Sequence, residues 1–175
     1  MATTSVPTLT LDGARIAVEA AESHAQSISV PMNIAIVDSA CHLLAFIRME
    51  GAKVTSINLA IDKAFTAAGH RIPTSLYKDN VWPGGAAFGI WNSNGGRFTT
   101  IGGGVPIVDD EGRVVGAVGC STGTPAQDEE VAFAGVSAVT DTMVQHHMNQ
   151  KESGEGKAHV EREADELFMP SQTKL

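Results

Sequence analysis

Between residues 11 and 27 the apolar positions Leu11, Ala14, Ala17, Val18, Ala21 and Ala25 recur at steps of three and four. This period predicts an amphipathic helix, and its alanine-rich face suits close packing. After Val30-Pro31 the pattern changes: Ile34 and Ile36, then Leu44 and Phe46, flank the polar break Asp38-Ser39-Ala40. That is a two-stranded hairpin in which Asp38 bonds its own turn backbone. A helical stripe returns at Val54, Ile57, Ile61, Ala64, Phe65 and Ala68, predicting a second helix from about Thr55 to His70. Thr55 or Ser56 can cap its start, Gly69 fits its end, and Pro73 forbids continuation.

Residues 74–96, TSLYKDNVWPGGAAFGIWNSNGG, follow no period. Tyr77, Trp82, Phe88 and Trp91 stand there among five glycines, over a length that points to a functional loop or one holding short helical turns. RFTTI, VPIVDD and RVVGAVGC then predict three short strands, the last two joined around Asp110-Glu111-Gly112. Thr124-Pro125-Ala126-Gln127 places a capping hydroxyl, a proline at the first helical position and a glutamine at the third. Asp128-Glu129-Glu130 follow in the positive first turn, so a long helix is predicted to about His147. Residues 149–175 are charged, poor in apolar side chains and interrupted by Gly154 and Gly156, which predicts a flexible tail with at most a brief helix over 158–168.

The resulting order is helix, two strands, helix, loop, three strands, helix. Hairpin-short links make neighbouring strands antiparallel, so the fold class is α+β: a five-stranded antiparallel sheet flanked by helices. With 175 residues and 43% apolar side chains, one domain over 1–148 has enough material for a core. The net charge of −8 repels nucleic acid and anionic lipid, leaving a small molecule or a protein as partner. No apolar run approaches a membrane span and the N-terminus lacks a secretory pattern, so a soluble, cytoplasmic protein is expected. Cys41 and Cys120 are then two free thiols.

The candidate chemistry is sparse. Gly102, Gly103 and Gly104 precede a strand, where a nucleotide fingerprint needs a helix and a Walker loop needs a following Lys-Ser or Lys-Thr. They mark a close backbone approach, either to another element or to a flat ligand. Lys63 and Thr66 share a face of the second helix and can meet carboxylates, or can form a solvated flank. Arg48 points to the same cavity or to water. None of the six histidines pairs at zinc-helix spacing, but His42 beside the hairpin and His70 at the end of the second helix can each serve as a metal or haem ligand, or stay on the surface.

Three collinear stretches, NIAIVDSACHLLAFIRMEGA, SINLAIDKAFTAAGHRIPT and GGGVPIVDDEGRVVGAVGCSTGTPAQDEEVAFAG, resemble the GlcG/HbpS-like proteins, the haem-degrading domain family that includes the C-terminal domain of PduO-type enzymes. The resemblance implies a profilin-like fold, a homo-oligomer and a small-molecule ligand. It points to Arg48, Lys63, Thr66, Thr74, Gly102, Gly103, Gly104, Pro106 and Asp128. Haem is the expected ligand and its degradation the associated activity, with His70 or His42 on the iron and Lys63 or Arg48 on the propionates. A haem-independent enzyme acting on an organic acid, with Lys63, Thr66 and Asp128 as catalytic groups, and an oligomeric scaffold are the alternatives. Cys41 stands where the family's hairpin has glycine.

Overall fold

A computed structural model of the chain describes residues 2–167. Helix α1 (Leu11–Ser27) starts at Thr10, whose hydroxyl accepts a bond from the Gly13 N–H at 3.1 Å. Strands β1 (Asn33–Asp38) and β2 (Leu43–Arg48) form the expected hairpin. Asp38 Oδ1 accepts from the N–H groups of Ala40 at 2.9 Å and His42 at 2.8 Å, and Cys41 adopts the left-handed φ of 66° that a glycine would take without strain. Helix α2 (Ser56–His70) follows, and then short 3₁₀ turns at Thr74–Val81, Ile90–Asn92 and Asn94–Gly96. Strands β3 (Gly104–Val108) and β4 (Val114–Ser121) are joined by a turn in which Asp109 Oδ1 accepts from Glu111 and Arg113. Helix α3 (Pro125–Leu167) closes the sequence of elements.

The sheet has four antiparallel strands in the order β2-β1-β4-β3, one fewer than the five expected. The missing strand is RFTTI. Its backbone is drawn to side chains instead of to a neighbouring strand: the Thr99 N–H donates to Thr66 Oγ1 at 3.0 Å, and the Ile101 carbonyl accepts from Thr74 Oγ1 at 2.7 Å. A second difference lies in α3, which passes the expected end near His147 and runs to Leu167. Glycine costs a helix only about 1 kcal/mol relative to alanine, so Gly154 and Gly156 need not stop one. The chain divides into two compact units after Thr140.

Residue alternation sorts the sheet into two faces. Ala35, Val37 and Ala117 look toward α2, where they meet Ala60, Ala64, Ala67 and Ala68. Ile34, Ile36, Val118 and Cys120 look the other way and are fully buried. On that side α1 and α3 touch closely: a Cβ on Gly135 would lie 2.8 Å from the Ala17 carbonyl, and His24 Nε2 lies 2.8 Å from Glu130 Oε1. The start of α3 carries a reciprocal cap, with the Thr124 N–H donating to Gln127 Oε1 at 3.0 Å and the Gln127 N–H to Thr124 Oγ1 at 3.3 Å.

Candidate functional site

The α2–sheet seam explains most of the glycines. Gly104 and Gly119 face each other across β3 and β4, directly beneath α2. A Cβ on Gly119 would fall 2.1 Å from the Ala60 carbonyl oxygen, and one on Gly104 would fall 2.3 Å from that of Lys63. Gly103 has φ 119°, and a Cβ there would strike Asp128, the Cys120 carbonyl and the Lys63 ammonium, all within 2.8 Å. Gly102 is less confined, its nearest prospective contacts being 3.4 Å away at Pro125 and Ser75. The triple glycine therefore lets backbone pass against α2 and α3. Pro106 is buried on β3, an edge strand, where a missing N–H is tolerated.

Lys63 is wholly buried in this seam, and so does not stand at a solvent-facing rim. Its Nζ donates to Asp128 Oδ2 at 2.7 Å and to the Cys120 carbonyl at 2.8 Å, while Asp128 Oδ1 accepts from the Gly123 N–H at 2.9 Å. Burial pushes the Lys63 ammonium below its ordinary pKa, opposed by the hydrogen bond and charge of Asp128. Burial likewise pushes the Cys120 thiol well up, so it stays protonated and inert. Thr66 and Thr74 are equally enclosed: Thr66 Oγ1 donates to the Asp62 carbonyl at 2.7 Å, and Thr74 Oγ1 accepts from the Gly104 N–H at 3.0 Å. The structure thus brings together Lys63, Thr66, Thr74, Asp128 and the three glycines as one packed, internally bonded group. Arg48 is apart from them, exposed at the end of β2 opposite Asn33.

The two histidines differ sharply. His42 projects from the hairpin with its side chain 80% exposed and Nδ1 3.5 Å from Asp38 Oδ2. His70, exposed at the last turn of α2, is held on two sides. Its Nδ1 is hydrogen-bonded to the Tyr77 hydroxyl, and its ring stands edge-on to Phe98 with centroids 4.4 Å apart. Tyr77 also meets Phe98 edge-on at 5.3 Å, and burial raises its phenol to about 12, so the hydroxyl stays neutral. Trp82, Phe88 and Trp91 are exposed in the following segment, with Phe88 and Trp91 paired edge-on at 5.2 Å.

Sequence reading missed Phe98, Arg97 and the partnership of Tyr77 with His70. Phe98 and Arg97 fall in RFTTI, whose short apolar-polar pattern hid a segment lying along α2. Arg97 Nε donates to Asp62 Oδ1 at 3.1 Å, and its guanidinium carbon sits 4.0 Å from the Phe65 ring centroid. Cys41 has its pKa raised by burial and by Asp38, against the opposing pull of Arg97. Both cysteines are free. Among the described residues no three His, Cys, Asp or Glu side chains converge as a metal-binding group, and no helix is long and apolar enough to cross a membrane.

This architecture is shared with known proteins. The model of the family described as haem degrading protein HbpS-like matches residues 9–137. The chain belongs to that family. It is 38% identical over 127 residues to a 15.0 kDa protein from the dhaT-dhaS intergenic region of Citrobacter freundii, covering 73% of this chain and 89% of that one. Among solved structures, the Klebsiella pneumoniae protein ORFY aligns with a TM-score of 0.77 and 32% identity, over 79% of this chain and 95% of its own. The PduOC:heme complex aligns with a TM-score of 0.71 and 32% identity, over 75% and 94%.

Proposed function

We propose that the protein binds haem and that His70 is its iron ligand. The observation that carries this reading is the anchoring of His70. Iron at Nε2 requires the proton on Nδ1, and in that tautomer the ring donates to the Tyr77 oxygen while Phe98 fixes its plane. Metal-bound imidazoles are commonly oriented in this way. His42 is 80% exposed with its ring nitrogen 3.5 Å from Asp38, so it is the weaker candidate. The exposed aromatic side chains of residues 82–91 offer apolar area for a flat macrocycle. Support also comes from the family's description and from the haem complex of a structural relative.

Lys63, Thr66, Thr74 and Asp128 hold the seam in this reading and shape the ground beneath the ligand, since their polar atoms are bonded within the protein. Bound haem supplies iron redox chemistry, and oxidative breakdown of the macrocycle is the activity proposed to follow from it.

Titration with hemin tests the reading. A saturable Soret shift is expected for the wild-type protein and for His42→Ala, and its loss is expected for His70→Ala. No shift in the wild type, or an unchanged shift in His70→Ala, rejects the assignment. Following the Soret band of the complex with ascorbate under air then separates a carrier from a protein that degrades its ligand.

A further inference from the structure

Arg97 differs from a solvated surface arginine in three respects. Its Nε donates to Asp62 Oδ1, which occupies one edge of the guanidinium. Its guanidinium carbon sits over the Phe65 ring, 4.0 Å from the centroid. Its side chain is 43% exposed, and among the described residues its one hydrogen bond is the Asp62 contact at Nε, which leaves the two terminal nitrogens open. A planar fork whose orientation is fixed and whose outer N–H groups are open matches a carboxylate, which accepts two parallel bonds.

The surface beside this fork is apolar. Ile61 lies one helical turn before Phe65, and Ile61, Cys41 and Phe46 of β2 are half-buried against the alanine cluster of the seam. Cys41 Sγ reaches to 3.6 Å from the Phe65 carbonyl, which joins the hairpin to this strip. On the other side of Arg97, the next residue is Phe98, the ring that packs on His70. Asp62 also places a negative charge here, so a free inorganic anion gains little. An apolar body with a carboxylate gains from both parts of the surface.

We propose that Arg97 binds the carboxylate of an amphipathic ligand whose apolar body lies along Phe65, Ile61 and Phe46, with Asp62 as the positioning residue that holds the fork. This rests on the haem reading only in that a haem propionate is one such carboxylate; a fatty acid has the same chemistry. The proposal replaces Lys63 and Arg48 in that role, because Lys63 is enclosed with Asp128 and Arg48 stands at the end of β2 away from the Cys41 turn that meets Phe65.

The test uses the full chain with iron-free protoporphyrin IX, its dimethyl ester and decanoate, read by quenching of tryptophan fluorescence. The diacid is expected to bind roughly tenfold or more tighter than the diester, as hydrogen bonds to a charged group imply. Arg97→Gln is expected to abolish that preference and Arg97→Lys to keep part of it, with circular dichroism unchanged in both. Arg97-dependent binding of decanoate without binding of the diacid keeps the carboxylate site and removes the haem reading. Equal binding of diacid and diester together with no Arg97-dependent binding of decanoate, or preferences unchanged in Arg97→Gln, overturns the proposal. The His70 dependence of the hemin Soret shift is measured separately, so either idea can fail alone.

Discussion

The two sides of α2 are built on opposite terms. Toward the sheet, Ala60 and Ala64 meet Gly119 and the Lys63 carbonyl meets Gly104, backbone approaches backbone, and the buried ammonium of Lys63 is enclosed by Asp128 and a carbonyl. Toward the 74–99 segment the contacts are aromatic and partly open: His70 with Tyr77 and Phe98, Phe65 beneath Arg97. The first side has the residue types usually taken for a site, glycines, a lysine and an aspartate, yet their polar groups are bonded to one another. The second also carries an ion pair, Arg97 with Asp62, but there the arginine side chain stays 43% exposed. A charged residue indicates ligand chemistry when its bonding capacity is left open, and indicates structure when that capacity is filled from within.

The largest effects should come from disturbing the seam. Gly119→Val would place a side chain on the Ala60 carbonyl and the Ala64 N–H, so a loss of about 3 kcal/mol or more is expected in urea unfolding. A nearly unchanged midpoint would mean α2 does not lie so close. Next comes the ion pair. Lys63→Met leaves the Asp128 carboxylate buried without its cation and is expected to cost about 3–5 kcal/mol. The same variant carries a pH signature. Because the folded pKa of Lys63 lies below its ordinary 10.5, the unfolded chain binds more protons between the two values, and this residue makes stability rise with pH across that window. Subtracting the Lys63→Met profile from the wild-type one should reveal that rise; a flat difference would contradict the burial.

On the aromatic side the effects should appear in binding more than in folding. Tyr77→Phe keeps the ring packing on Phe98 but removes the partner of His70 Nδ1, so hemin affinity should fall about tenfold while the Soret position is retained. An equal affinity would show that the hydroxyl does not orient the imidazole. The smallest change is Ser75→Ala, which deletes a 2.5 Å hydrogen bond to Glu129 Oε1 at the join between this segment and α3. About 1 kcal/mol of stability is expected to go with it, with hemin binding intact.

Much of the fold was legible because its signals are local. The bounds of α1, the Asp38 turn, and the Thr124–Gln127 cap each depend on residues within a few positions of one another. RFTTI misled for a related reason: five residues with strand-like composition say nothing about whether a neighbouring strand is free to pair, and here the threonine hydroxyls of α2 and of the Thr74 turn took its hydrogen bonds. The site was less legible. Lys63 on an amphipathic helix reads as a carboxylate-binding group or as a solvated flank, and only the approach of Asp128, 65 residues later, makes its burial affordable.

By itself the sequence determined most of the helices and hairpins, because periodicity, caps and turns act over a handful of bonds, and its resemblance to a family supplied the short list of residues around the seam. The tertiary structure alone decided which of those residues have capacity left for a ligand. Whether a donor is open depends on groups brought from distant parts of the chain: Asp128 and the Cys120 carbonyl close off Lys63, while Asp62 and Phe65 hold Arg97 by one edge and one face and leave the rest exposed.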